Sequence, residues 1–309
     1  MHVSVCIVGF RSPDDIGICL DALDRQTWRE FSVVICENGG TQAYDELRGR
    51  FGSRIAGTRP LRLISAPDNP GYAAGVNRAI EASPDADAWW VLNPDTEPAP
   101  ECLAALVGRS REGPAGIIGG CVVGTDGRVQ SYGGRWLSSL GRVESIGHGR
   151  SADVPIDAAA IEPQLDYQCG ASMLVARSVI DRIGLMREDY FLYCEEVEWC
   201  VRAKDAGLVL GLAPDAIILH HQGSTTGSGG AVRTRDRLPI FLDERNKINM
   251  VRDLRPRQLW SAIPAALLLA FIRYGKALAP RQLGYALSGW LAGVRNLRGK
   301  PNWLSQRQR

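Results

Sequence analysis

Along the first hundred residues the chain repeats one alternation. Short apolar runs rich in β-branched residues occupy 3–8, 31–36, 61–65 and 88–92. Between them lie polar stretches in which apolar side chains return at helical spacing: Ile16, Leu20 and Leu23 within 14–25, then 44–51 and 72–82. Strand and helix alternating four times predict a mostly parallel sheet flanked by helices, a Rossmann-like α/β arrangement. In such sheets ligands bind beyond the carboxyl ends of the strands. All four predicted strands end in polar or glycine-containing segments, at 9–12, 37–40, 68–71 and 93–97, which points to one site built from four loops.

Beyond 115–123, a further strand, the pattern changes. Gly124, Gly127, Gly133, Gly134, Gly141, Gly147 and Gly149 predict hairpins and loops rather than helices. Residues 167–176 read as a strand and 195–206 as an amphipathic helix. Two short strands follow, 208–212 and 216–219, ending at His220-His221, and then a polar Gly/Ser/Thr-rich loop over 222–230. The remainder is helical in pattern, over 242–254, 258–274 and 281–297. These changes divide the chain into an α/β domain at 1–231, with the four strand-end loops in its first part (1–97) and the glycine-rich stretch in its second (98–231), and a helical C-terminal region at 232–309.

Charge adds something that periodicity does not. The net charge of the 309 residues is only +2, yet from residue 232 onward there are 16 Lys and Arg against 4 Asp and Glu, and none of the acids follows Asp253. A basic tail of this kind suits an anionic surface, a membrane in particular, although a solvated helical face or a homodimer contact would carry it too. The apolar run within 259–272 is interrupted by Pro264 and falls short of the ~20 residues that span a bilayer. It suits lying on one instead, with Trp260, Trp290 and Trp303 at headgroup level. The eight cysteines are scattered without metal-type spacing, most of them in apolar runs, as expected of buried thiols in a reducing compartment. The chain opens directly on a strand, with no secretory signal pattern, so a cytoplasmic location is expected.

Four sets of residues carry candidate chemistry. Asp95, in Asn93-Pro94-Asp95-Thr96, follows the apolar run Trp89-Trp90-Val91-Leu92 and so belongs at a strand end, where a carboxylate can ligate a hard divalent cation; Asn-Pro-Asp is equally ordinary turn chemistry. Glu195, Glu196 and Glu198 crowd a helix start, a place that favours acids on electrostatic grounds alone. Their apolar flanks, Phe191, Leu192 and Trp199 among them, also suit a carboxylate raised in basicity. His220 at a strand end is a candidate metal ligand or phosphate contact, or a satisfied structural histidine; His221 beside it should point the other way. Asp68-Asn69-Pro70-Gly71 precedes a helix opening with Ala73, Ala74 and Gly75, where Asn69 can cap and small side chains admit a ligand close to the backbone. Neither a GxGxxG dinucleotide loop nor a GxxxxGK[ST] phosphate loop is present.

Taken in order, the motifs at 5–10, Cys36-Glu37-Asn38-Gly39, 69–75, Asn93-Pro94-Asp95-Thr96, Gly170-Ala171, 191–200 and His220-His221-Gln222-Gly223-Ser224 give the chain a resemblance to the inverting family-2 glycosyltransferases of GT-A fold. It is most similar to their bacterial rhamnosyltransferase-like branch, over roughly 3–250. The resemblance implies a metal-dependent transferase that takes a nucleotide sugar as donor and a cell-surface glycan or lipid-linked saccharide as acceptor, with Mg²⁺ or Mn²⁺ as cofactor and no nucleic acid partner. It implies that Gly9 and Arg11 lie in the first donor loop, that Glu37 contacts the nucleobase, and that Asn69 and Gly71 form a second donor segment. Asn93 and Asp95 match the Asp-x-Asp metal motif, with Asp95 the direct ligand and His220 a second. Glu196 matches the catalytic base, with Glu195 and Trp199 on the acceptor side.

The sequence departs from the family pattern in four places. Glu196 and Glu37 stand where Asp is usual, Arg11 where Asn is common, and Asn93 in place of the first Asp. The expected donor is dTDP-L-rhamnose, and the expected place of action the inner face of the cell membrane, held there by the basic tail. Two rival readings are a nucleotidyltransferase, which would show a longer glycine-rich basic loop after the first strand than Gly9-Phe10-Arg11-Ser12, and a non-catalytic glycan-binding protein.

Overall fold

A computed structural model describes residues 1–55, 59–221 and 231–305. The first half runs β1 (Val3–Gly9), α1 (Pro13–Asp24), β2 (Phe31–Glu37), α2 (Thr41–Phe51), β3 (Arg54–Ile55), β4 (Arg59–Ser65), α3 (Tyr72–Glu81) and β5 (Ala88–Leu92). Strands β4, β2, β1 and β5 lie side by side and parallel, as the alternation predicts. The runs of β1, β2 and β5 are nearly continuous because both faces are covered, whereas β4 alternates buried and exposed positions at its start. Val3, Val5 and Ile7 of β1 and Trp90 and Leu92 of β5 pack in one buried cluster with α1, while Cys6, Val8, Trp89 and Val91 pack in the other with α3.

The second half comprises β6 (Thr96–Pro98), α4 (Cys102–Arg111), β7 (Ala115–Val123), β8 (Val129–Ser131), β9 (Gly134–Leu137), β10 (Arg142–Ser145), α5 (Ala158–Ile161), β11 (Ser172–Ala176), α6 (Arg177–Ile183), α7 (Glu195–Asp205) and β12 (Val209–His220). It extends the sheet to the order β3-β4-β2-β1-β5-β11-β7-β12-β6, with β8 against β7. β11 is antiparallel to both neighbours, so the sheet is mostly parallel rather than wholly so. The strand expected over 167–176 shortens to β11, because residues before it turn to form the wall of the cleft. The two strands expected over 208–219 are one, with an irregularity between Leu212 and Ile217 around Pro214, which has no amide hydrogen to give a ladder. β6, only three residues long, pairs antiparallel with the end of β12, His220 against Thr96. The loop expected over 222–230 lies outside the described residues.

The C-terminal region is helical as expected: α8 (Arg237–Leu254), α9 (Leu259–Lys276), α10 (Pro280–Val294) and the short α11 (Asn302–Ser305). α8 starts earlier than the apolar pattern suggests. Met250 and Val251 of α8 and Ala262 of α9 belong to the same buried cluster as the sheet. α10 lies close on α8 at two glycines: a Cβ on Gly289 would meet the Phe241 backbone, and one on Gly293 would stand 2.7 Å from the Arg245 carbonyl oxygen. Among the described residues no helix is long and apolar enough to cross a membrane.

Candidate active site

The ends of β1 and β2 form the first part of the cleft. Glu37, the last residue of β2, is buried, and its Oε1 accepts hydrogen bonds from the backbone amides of Arg11 (3.1 Å) and Gly39 (2.6 Å). Its Oε2 is buried without a partner. Burial raises the Glu37 pKa, and the two amides oppose that rise. A Cβ on Gly9 would collide with Oε2, so the absence of a side chain there lets the carboxylate lie against the end of β1. Arg11 takes the left-handed region (φ 55°), and its Nε donates to the Gly39 carbonyl (2.8 Å), which ties the two loops together. Asn38 donates from Nδ2 to the Gly71 carbonyl (2.9 Å) and so joins this pair to the loop before α3. There Gly71 (φ 102°), not Asn69, occupies the cap position of α3, and no side chain caps the helix. Asn69 (φ 45°) instead makes a turn, donating its amide to the Ala66 carbonyl.

Asp95 lies in the turn between β5 and β6, and the β6–β12 pairing carries His220 to it. His220 Nε2 is 3.3 Å from Asp95 Oδ1, and both side chains are nearly buried. The His221 amide donates to the Asp95 carbonyl (3.0 Å), while its ring turns away to Glu97 (2.7 Å), as expected. Gln130, from β8, fixes the His220 ring. Its Nε2 donates to the His220 carbonyl (3.0 Å), so the Oε1 facing Nδ1 at 2.9 Å is an acceptor and Nδ1 carries the hydrogen. In the neutral ring the Nε2 lone pair then faces a carboxylate oxygen.

Two acceptors opposed at this distance fit a shared cation. Adjacent ligands of an octahedral ion with bonds of about 2.1 Å lie roughly 3 Å apart, and a ring nitrogen held through its opposite N–H is the usual arrangement of a metal-binding histidine. Among the described residues no group of three or more His, Cys, Asp or Glu is placed to hold a metal. The pair therefore suits an ion that completes its shell with substrate oxygens and water, as Mg²⁺ commonly does.

Tyr72 links these groups to the other wall. Its hydroxyl donates toward Asn93 Oδ1 (3.0 Å) and the Gly170 carbonyl (3.3 Å). Burial, followed by the charges of Glu195, Glu196 and Asp95, holds its pKa well above the ordinary value. Glu195 and Glu196 open α7. Glu195 is buried, its Oε2 has no partner, and burial with the neighbouring Glu196 charge raises its pKa well above normal. Glu196 is half-buried and keeps part of its surface; burial raises its pKa as well, and the Asp243 charge adds to the rise against the backbone amides of the helix start. Gly170 faces it: a Cβ there would stand 3.2 Å from Glu196 Cγ. The segment leading into α7 is strained, with Phe191 (φ 70°), Tyr193 (φ 70°) and Cys194 (φ 71°) all in the left-handed half of backbone space. Each such residue costs on the order of 1–3 kcal/mol and persists only where its surroundings hold it.

Gly9, Arg11, Glu37, Gly71, Asn93 and Glu196 are thus linked through Asn38, Tyr72 and Gly170, with the Asp95–His220 pair two residues after Asn93 and Glu195 buried beside Glu196. Trp199 does not belong to this group. That side chain is fully buried, and its Nε1 donates to the Gly184 carbonyl (2.9 Å), because α7 turns Val197, Trp199, Cys200 and Val201 into the core. It therefore has no surface to offer an acceptor. Glu198 is likewise structural, paired with Arg202. Of the tail tryptophans only Trp260 is exposed, at 82%. Trp290 donates to the Ile263 carbonyl (2.9 Å), and Trp303 packs edge-on against Phe241 under Arg237. Part of the tail's positive charge is also paired within the chain, Lys247 and Arg298 with the buried or nearly buried Glu244 and Asp253 and Arg255 with the exposed Asp205. Tyr72 draws no role from the sequence, although it lies within the 69–75 motif, and Gln130 is missed, since an isolated glutamine carries no spacing signal.

The family model Glycosyl transferase family 2 matches residues 4–184. The chain is 28% identical over 228 residues to an N-acetylglucosaminyl-diphospho-decaprenol L-rhamnosyltransferase of Mycobacterium tuberculosis, covering 67% of this chain and 72% of that protein. It is 24% identical over 311 residues to the low-salt glycan biosynthesis hexosyltransferase Agl10 of Haloferax volcanii, covering 97% and 93%. Among solved structures, the mannosyltransferase PcManGT of Pyrobaculum calidifontis, in complex with GDP-Man and Mn²⁺, superposes with a TM-score of 0.57 at 16% identity, over 95% of this chain and 87% of that one. The fold is that of the GT-A enzymes, as the sequence resemblance implies.

Proposed function

Since the chain belongs to glycosyl transferase family 2 and is a glycosyltransferase, we propose that it transfers a sugar with inversion, and with a divalent cation, from a nucleotide diphosphate to a hydroxyl of a lipid-linked saccharide. The Asp95–His220 pair, with Nδ1 occupied by Gln130 and Nε2 turned to the carboxylate, is the observation that carries this reading. Asp95 and His220 would hold Mg²⁺ or Mn²⁺, whose contribution is to offset the negative charge gathering on the departing diphosphate. L-rhamnose from dTDP-L-rhamnose is the leading donor, a choice supported by the similarity to the mycobacterial rhamnosyltransferase.

The chain's own residues supply the rest. Glu37 accepts from a nucleobase N–H through Oε2, the buried oxygen that has no partner within the chain, and Gly9 and Gly71 let the donor approach the backbone. Glu196, rather than the buried Glu195, takes the proton of the acceptor hydroxyl, because only a side chain that reaches the cleft can touch it. The hydroxyl oxygen bonds to the anomeric carbon as the bond to the diphosphate breaks on the opposite face. A raised pKa makes Glu196 a better base at neutral pH than an ordinary carboxylate. Tyr72 keeps Asn93 and the Gly170 turn in register with it.

The acceptor would be met at a membrane. On α9 the buried side is Ala262, Ala266, Ala270 and Tyr274, and the opposite face exposes Trp260, Leu268, Phe271 and Ile272, with Arg273 and Lys276 exposed beside them. An exposed apolar stripe edged with basic residues suits the headgroup region of anionic lipid on the cytoplasmic side. A screen of nucleotide sugars with the purified protein, with and without EDTA, tests the transferase reading. Donor turnover that needs the metal and falls in Glu196→Gln is expected; turnover unaffected by EDTA, or full activity in that variant, refutes it. Flotation with anionic liposomes tests the membrane reading, which fails if Trp260→Asp with Phe271→Asp floats as well as the parent chain.

A further inference from the structure

The first residues of α7 hold the carboxylates, yet the helix has no side-chain cap and is entered through strained backbone. The Leu192 amide closes on the Tyr190 carbonyl (2.9 Å), a turn centred on Phe191 with φ 70° and ψ −57°, and Tyr193 and Cys194 follow at positive φ. A γ-turn of this sign is rare and strained, and none of these residues is glycine. Something outside the segment must hold it.

The holder comes from α8. Asn246 is wholly buried, and its Nδ2 lies within reach of three carbonyls of the segment: Tyr190 (3.0 Å), Leu192 (2.8 Å) and Tyr193 (2.8 Å). Its neighbour Arg245, 1% exposed, donates from Nε to Asn246 Oδ1 (2.9 Å), which turns the amide so that its N–H groups face the carbonyls. Arg245 also donates to the Tyr190 carbonyl (2.9 Å) and the Gly299 carbonyl (2.7 Å). The Phe191 carbonyl in turn accepts from the Tyr72 amide (2.6 Å), at the start of the helix whose tyrosine touches Asn93 and Gly170. One buried pair on a C-terminal helix therefore fixes the strained approach to Glu196, and through Phe191 the approach to the donor side.

We propose that Arg245 and Asn246 are positioning residues for the catalytic carboxylate, holding the 190–194 backbone in the strained form that places Glu196 against the cleft. This rests on the reading of Glu196 as the base. Asn246→Ala removes the donors to three carbonyls, and Arg245→Lys removes the planar fork while keeping the charge. Two readouts separate positioning from general support: amide hydrogen exchange across the chain, and steady-state kinetics with the donor and acceptor varied in turn.

In Asn246→Ala, exchange at 190–196 is expected to accelerate at least tenfold while β1, β2 and β5 keep their protection. kcat should fall about a hundredfold, the loss known for misplacing a reacting group by about 1 Å, with the donor KM within twofold. Arg245→Lys should show the same pattern more weakly, and carries the test if Asn246→Ala does not fold. Unchanged exchange at 190–196 in a folded variant overturns the proposal, as does faster exchange with unaltered kcat. A wild-type protein that transfers no sugar would defeat the functional reading instead, and the exchange arm would still decide whether α8 holds the segment.

Discussion

Gly170→Ala isolates the placement of Glu196 from every other property of the site. Gly170 does not occupy positive φ, so alanine is acceptable to the backbone. Its new Cβ would stand 3.2 Å from Glu196 Cγ and 3.5 Å from Cβ and Cδ. Carbon atoms pack best at roughly 3.5–4.0 Å, so the side chain must move by about 0.3 Å. If a displacement of about 1 Å costs about a hundredfold in rate, and the loss scales with displacement, kcat falls about fourfold. If Glu196 instead rotates ~30° away from its rotamer, at up to ~1.5 kcal/mol, the loss is about tenfold.

The Gly170 carbonyl, which accepts from Tyr72 on the donor side, is unchanged by the substitution, so the donor KM should hold within twofold. The melting temperature should change little, because the shift required is small and the side chain that yields is only partly buried. Initial rates of nucleoside diphosphate release, with acceptor saturating, read the effect. A folded variant with unaltered kcat refutes the assignment of Glu196 to the reacting centre. So would a fall confined to the donor KM, which would put Gly170 on the donor side.

Three further outcomes follow from the same geometry. Gln130→Leu should weaken Mn²⁺ binding by about 10–100-fold, the usual cost of losing the partner that orients a ligating histidine; calorimetry with a nucleoside diphosphate present measures it, and unchanged affinity would remove His220 from the metal site. Glu195→Gln should stabilise the protein at neutral pH. A carboxylate whose folded pKa is raised contributes most below its unfolded pKa of about 4.3, and that contribution is lost as pH rises through the folded value, so the gain should vanish in acid. Thermal melts across pH decide it, and a gain that persists in acid contradicts the argument. Asp243→Asn should shift the acid limb of the kcat–pH profile to lower pH, because Asp243 raises Glu196 from α8 while Glu195 beside it, Tyr72, Tyr167 and Cys169 stay unaltered. An unmoved limb would mean that another group sets it.

The sequence by itself determined the parallel half of the sheet and where its ligand loops lie, since both are written in local periodicity. Residues 5–8 and 88–92 are apolar throughout because they are buried on both faces, and the polar residues that follow them fall at strand ends. Asp95 and Glu37 were legible as candidates for that reason, and Glu196 as one of the acids crowding a helix start. What tertiary structure alone decided is which groups meet. The short β6–β12 pairing brings His220 to Asp95, and β8, from the glycine-rich stretch, contributes the Gln130 that fixes the ring. Trp199 looked like an acceptor platform because composition cannot tell which way a helix faces; the burial of α7 against the sheet turned it inward. Tryptophan and arginine in the tail likewise read as a uniform basic face, yet Trp290, Trp303 and Arg298 are held internally. Hydrogen bonds between residues far apart along the chain, such as Tyr72 to Gly170 or Asn246 to Tyr190, leave no periodic trace, because they depend on the packing of whole elements rather than on the spacing of side chains within one.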